Sequence, residues 1–190
     1  VTIGAGEVLP QIKNGFEFIY EHGELILQTV EDILSVSENE IQKTSLKEFT
    51  NFGYKKYLSK KAISLGIEVI GYHSTEAEIY KKRRENKDLF FLFNVLQGSL
   101  QLIVGATMAR RMGELVELDP YEAITPKDID PKEFPFQDFN MIFDNRKSGV
   151  AYGGDIVREE LSRPILNSIA AIIYKWQCFN LRLKKHGVLN

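Results

Sequence analysis

The feature that most constrains this chain is a long apolar run near its middle, Leu89–Ala109, which carries no charged residue. A helix that is apolar on nearly every face must be removed from water on nearly every face. The run is as long as the roughly 20 residues that a membrane-spanning helix needs. We therefore expect either the buried central helix of a soluble fold or a membrane span.

Polar residues within the run favour the soluble fold. Unpaired amide and hydroxyl groups cost several kcal/mol in lipid, and four such residues lie near the middle of the run: Asn94, Gln97, Ser99 and Gln101. Basic residues flank it on both sides, so the charges give no orientation across a membrane. We interpret the run as part of a buried central helix over about 76–112, and we expect no association with a membrane.

Hydrophobic periodicity predicts an amphipathic helix over about 8–36. Apolar residues recur at steps of three and four between Ile12 and Ile33, while glutamates follow the opposite side. Gly23 occupies the apolar stripe, where it weakens the helix but lets another backbone approach closely. One face should therefore be buried, and the other should be acidic and solvated.

Helix-capping signals and periodicity predict the remaining helices. Ser37 and Thr75 each lie three residues before a glutamate, the spacing of a capping box. The further predicted helices are at about 37–52, 54–66, 76–112 and 156–186. The short stretch 67–72 alternates in part like a strand, so a minor β element can form there.

These elements predict an all-α fold. A chain of 190 residues with 44% hydrophobic residues is enough for one domain with a single core. We predict a single-domain helical bundle over residues 1–190, with about five helices around the long apolar central helix. A long proline-containing loop at about 119–154 separates the two inner helices, and Asp155 is expected to cap the last one.

The loop contains four phenylalanines in an acidic segment without helical period: Phe134, Phe136, Phe139 and Phe143. In one interpretation the rings pin a long loop to the bundle. In the other they form a partner-binding segment for another subunit or protein, since exposed aromatic patches mark interfaces. The sequence leaves both interpretations open.

Charge is segregated along the chain, although its net value is only −2. Acidic residues dominate 1–40 and 113–145, whereas basic residues dominate 41–87 and 146–190. The first interpretation is that acidic and basic segments neutralise each other within the fold. The second is a nucleic-acid or other anion contact through six exposed cations: Lys56, Lys60, Lys81, Lys82, Arg83 and Arg84.

No motif of the sequence indicates an enzyme, a metal site or a cofactor. The three histidines lie on separate segments, and neither a nucleophile elbow nor a phosphate loop is present. The acidic pairs Glu21–Glu24 and Glu85–Asp88 could hold Mg²⁺ only if they converged within about 5 Å. Cys178 is the lone cysteine, and the N-terminus does not have the pattern of a signal peptide, so we expect a cytoplasmic protein.

The sequence therefore predicts a non-enzymatic interaction or regulatory protein that self-associates or binds a protein partner. Five helices can barely enclose a helix that is apolar all round, so two subunits would share a face. A nucleic-acid-associated protein that uses the basic helix surfaces is the first alternative. A binder of an apolar small ligand in the core is the second, because Gly98 and Gly105 leave room beside the central helix.

Overall fold

The computed structural model describes residues 5–36, 54–70, 74–108, 115, 117–152 and 155–189. The helices are α1 (Ala5–Leu34), α2 (Tyr54–Tyr57), α3 (Lys60–Ser64), α4 (Glu76–Arg84), α5 (Leu89–Met108) and α6 (Asn167–Lys185). The strands are β1 (Ile124–Thr125), β2 (Phe139–Tyr152) and β3 (Asp155–Ile165). The predicted helix at 37–52 lies outside the described residues.

The protein is mostly helical, but it contains a three-stranded antiparallel sheet in the order β1-β2-β3. The prediction of an all-α fold is therefore wrong where the chain forms this sheet. β2 pairs with β3 from Phe139↔Ile165 to Tyr152↔Asp155, so only Gly153 and Gly154 separate the two strands. A two-residue Gly-Gly connection is typical of a tight β-hairpin.

The hairpin replaces two predicted features. Residues 139–152 are strand rather than loop, and residues 155–165 are strand rather than the start of the last helix, which begins at Asn167. Asp155 accordingly starts β3 and caps no helix. Pro164 lies near the end of β3, an edge strand, where a residue without an N–H is tolerated.

The chain divides into two compact units, Val1–Phe16 with Ser99–Leu181, and Glu17–Gly98 with Arg182–Asn190. The first unit holds the sheet. Its core comes from β1 and β2, from the second half of α5 and from α6, and its most deeply buried side chains are Ile103, Ile124, Phe139, Met141, Ile169 and Phe179. The prediction of a single domain stays a prediction.

The second unit has a helical core, with Ile26, Val30, Ala62, Leu89 and Leu96 among its buried residues. A Cβ added at Gly23 would lie 3.4 Å from Leu96 Cδ1, so among the described residues a side chain of α5, and not the predicted backbone, packs against this glycine. In the same unit, Arg182 Nε lies 2.7 Å from Glu31 Oε2, which joins a basic segment to an acidic one. This ion pair supports internal neutralisation of the segregated charge.

The predicted helix over 76–112 is interrupted. Thr75 and Glu78 form the predicted capping box at the start of α4, but Asn86 has a φ of 54° and follows the end of that helix. Asparagine is one of the few residues that tolerate the left-handed conformation, which commonly ends helices. Residues 85–88 therefore separate α4 from α5, and residues 109–114 lie outside the described residues.

The segment predicted as one helix at 54–66 contains the short helices α2 and α3. Ser59 caps α3 by accepting the backbone N–H of Ala62 at 3.1 Å. In the stretch 67–72, Glu68 forms an isolated parallel bridge with Asp88. This bridge is the β element of that stretch within the described residues.

Candidate interaction site

The first unit presents an exposed apolar cluster at the turn before β2, which we call the aromatic turn (residues 134–136). Phe136 has 99% of its surface exposed and Phe134 has 53%, and Leu166, which lies between β3 and α6, has 67%. Asn167 Nδ2 donates to the carbonyl oxygens of Phe134 (3.4 Å) and Pro135 (3.3 Å), which places the turn beside the start of α6. The turn and Leu166 therefore form one exposed apolar surface.

Hydrogen bonds hold the backbone of the aromatic turn in place. The Asp130 carbonyl accepts the N–H groups of Glu133 (3.0 Å) and Phe134 (3.1 Å), and the Asp130 carboxylate accepts that of Lys132 (2.8 Å). The Phe134 carbonyl accepts the N–H of Gln137 at 3.1 Å. The exposed rings are thus presented from a hydrogen-bonded scaffold that carries them into solvent.

The four phenylalanines predicted to bind a partner do not form one surface. Phe139 and Phe143 lie in β2 and are buried, and Met141 between them is buried on the same side. Alternate residues of a strand point to the same face, so these three share the core side of the sheet. Phe139 and Phe143 belong to the core, and only Phe134 and Phe136 can reach a partner from the surface.

An apolar pocket of about 260 Å³ lies where α5 and β3 end and α6 begins. Within the described part of the chain it is lined by Thr107, Met108, Pro164, Ile165, Leu166 and Ile169. Leu166 therefore belongs both to the exposed cluster and to the wall of the pocket. Leu166 was not predicted as part of a site, although its position off the apolar stripe of the last helix indicates exposure.

Helix α5 is covered only in part. It is long and apolar enough to span a membrane by length and composition, and 28% of its most apolar window is buried in the chain. The buried residues form one stripe: Leu89, Leu92, Leu96, Ile103 and Val104. We predicted that this helix is buried on nearly every face, but it is buried along one side only. Val95 and Gly98 are among the exposed positions.

The consecutive basic residues of α4 face different surroundings. Lys82 Nζ lies 2.6 Å from Glu68 Oε2, and Arg83 Nε lies 3.2 Å from the buried carboxylate of Asp88. Lys81 and Arg84 are exposed, as are Lys56 and Lys60 on α2 and α3. The six predicted anion-contacting residues thus divide into two that are paired with acids of their own unit and four at the surface.

An exposed aromatic residue lies beside Lys81 and Arg84, two exposed cations of α4. The sequence did not predict this arrangement. Tyr80 is largely exposed, and it lines a shallow depression of about 420 Å³ together with Ala77, Lys81, Arg84 and Glu85. The Lys87 ammonium, which donates a hydrogen bond to Glu85, holds the pKa of that carboxyl below its ordinary value. Glu85 therefore stays negative at neutral pH and weakens the attraction of this depression for anions.

The acidic pairs considered for Mg²⁺ lie in different surroundings. Glu21 and Glu24 are exposed on α1, whereas the carboxylate of Asp88 is buried and paired with Arg83. Among the described residues, no three histidine, cysteine, aspartate or glutamate side chains come together as a metal site.

Comparisons of the chain with known protein families, with curated proteins and with solved structures give no match.

Proposed function

We propose that this protein is a non-enzymatic interaction protein that self-associates through the aromatic turn. The observation that carries the proposal is the complete exposure of Phe136 on a hydrogen-bonded turn, next to the exposed side chains of Phe134 and Leu166. Large aromatic side chains are enriched at protein interfaces and depleted from solvated surfaces. The arrangement of the helices as a bundle around α5 and the cytoplasmic location remain parts of the same proposal.

Association is favoured by the free energy released when a partner covers the Phe136 side chain. Removing a phenylalanine side chain from water is worth about 1.5–3 kcal/mol, which equals about 10- to 150-fold in a dissociation constant. Because hydrogen bonds already hold the backbone of the turn, little chain entropy is lost when the rings are covered. A held, exposed ring thus favours association more than a ring on a loose segment does.

Sedimentation velocity across a micromolar concentration series tests the proposal. We expect the wild-type chain to form a concentration-dependent oligomer, and Phe136→Ala to raise its dissociation constant by about 10- to 150-fold for each Phe136 ring that the contact buries. Tyr80→Ala is the matched control, because it removes an exposed aromatic side chain that belongs to the other unit. A wild-type chain that stays monomeric throughout the series refutes the proposal.

A second candidate function is nucleic-acid contact through α4, supported by Tyr80 beside Lys81 and Arg84. An exposed ring can stack on a base while neighbouring cations contact phosphates. Anisotropy of a labelled single strand should then show binding that weakens steeply with salt and that is lost in Lys81→Met and Tyr80→Ala. Absence of binding at low salt would end this candidate, which ranks second because Glu85 lies in the same depression.

A further inference from the structure

We infer that the apolar pocket of a second copy receives Phe136, and that two copies exchange this side chain reciprocally. The inference rests on the proposed self-association and names its receptor site. Phe136 does not occupy the pocket of its own unit, because its whole surface is exposed. Among the described residues, the ring therefore lies outside the pocket.

The pocket has the size and the chemistry to hold a phenyl ring. Its volume is about 260 Å³, whereas a protein cavity of about 150 Å³ lined by apolar side chains is enough to bind benzene. Pro164, Ile165, Leu166 and Ile169 give it a largely apolar wall. When a phenyl group enters the pocket, water is removed from the ring and from the pocket wall.

The position of the ring relative to the pocket favours a closed pair of copies. Asn167, which follows the pocket residue Leu166, donates hydrogen bonds to the carbonyls of the aromatic turn, so the turn lies beside the pocket. A twofold axis through this region brings each ring to the other copy's pocket. Such an interface is self-complementary, so association stops at two copies and does not continue into a filament.

Charge supports the same occupant. The aromatic turn is flanked by the exposed acids Glu133 and Asp138, whereas the exposed Arg163 precedes the pocket residue Pro164. When Phe136 enters the second copy's pocket, the acids of one chain approach Arg163 of the other. Exposed charges of this kind contribute little to affinity, but they steer encounter and make association rates depend on salt.

A complementation experiment tests the exchange. Phe136→Ala removes the ring and leaves the pocket, while Leu166→Ser opens the pocket wall at an exposed position and leaves the ring. We expect each variant alone to associate at least about tenfold more weakly than the wild type. An equimolar mixture should associate more tightly than either variant alone, because a mixed pair restores one intact ring-and-pocket contact.

Photocrosslinking locates the contact directly. With benzoylphenylalanine at position 136, a mixture of ¹⁴N- and ¹⁵N-labelled chains should give mixed-label crosslinks to the peptides containing Thr107 or residues 164–169. Crosslinks to another peptide, or a mixture of variants no tighter than its components, would overturn the exchange. If Phe136→Ala weakens association but Leu166→Ser does not, the proposed function stands and the pocket assignment is wrong. A wild-type chain that stays monomeric refutes both.

Discussion

Replacing Arg182 by methionine should destabilise the second unit, because the substitution leaves the carboxylate of Glu31 buried without its main counter-charge. Glu31 has 9% of its side chain exposed, and Arg182 Nε lies 2.7 Å from Glu31 Oε2. The imidazole of His186 also lies nearby, with Nε2 at 3.8 Å from Glu31 Oε1. Methionine keeps most of the apolar length of arginine, so the change concerns mainly the charge.

The expected loss can be bounded from the burial of the two partners. Removing one partner of a fully buried ion pair costs about 3–5 kcal/mol, and one hydrogen bond to a charged group contributes about 1.5–3 kcal/mol. Arg182 is 41% exposed, so water screens part of this interaction. We therefore expect Arg182→Met to lower the free energy of unfolding by about 1–3 kcal/mol.

Urea unfolding followed by circular dichroism measures the effect, and a double-mutant cycle isolates the pair. We expect the double variant Glu31→Gln with Arg182→Met to be more stable than the sum of the single losses indicates, because it leaves no buried charge unpaired. Lys87→Met is the control, since its contact with Glu85 joins two side chains that are each more than a third exposed, and no measurable change is expected. Additive single losses, or an Arg182→Met variant as stable as the wild type, would refute the reasoning.

Two further predictions concern α4 and the sheet. Thr75→Ala removes a helix cap and should raise hydrogen exchange of the α4 amides about fivefold, as a loss of ~1 kcal/mol implies. Because the Thr75 backbone N–H lowers the pKa of Glu78, the contribution of this contact should be present at neutral pH and lost as the pH falls through that lowered pKa. Phe139→Ala should lower the free energy of unfolding by about 3–5 kcal/mol, whereas Phe136→Ala should leave the unfolding of the monomer unchanged; equal losses would contradict the separation of the rings into core and surface.

Periodicity located α1 well because its apolar residues alternate at steps of three and four, a pattern that only a helix places on one face. It failed at β3 for a physical reason. Val157, Leu161, Ile165 and Ile169 are spaced by four, and a step of four puts side chains on the same face of a strand as well as near one another on a helix. The spacing could not separate the two structures.

Other residues carried the missing information. The sequence pair Gly153 and Gly154 is a signal of a two-residue hairpin connection, and Pro164 is unfavourable inside a helix. The alternation of Phe139, Met141 and Phe143 predicts the strand that buries them. The exposure of Phe134 and Phe136 has no comparable signal, since the turn is held in part by Asn167, whose contact with Phe134 spans 33 positions of the sequence.

The break between α4 and α5 lies in the polar run Lys81–Asp88, and it was missed because lysine, arginine and glutamate are good helix formers that give no signal for the end of a helix. Asn86 is a weak signal, since asparagine also occurs within helices, and only the positive φ shows that the helix ends there. The depression at Tyr80 was missed for a related reason. Whether an aromatic of α4 is buried or exposed depends on what packs against the helix, which the local sequence does not specify.

The ion pair between Glu31 and Arg182 has a consequence for synthesis, because the two residues are 151 positions apart. Ribosomes add about 5–20 residues per second, so α1 waits roughly 8–30 s before its partner on the last helix is made. During this time the Glu31 carboxylate lacks its contact with Arg182. The pair therefore forms only late in translation, and variants that weaken it should behave like the wild type until Arg182 has been made.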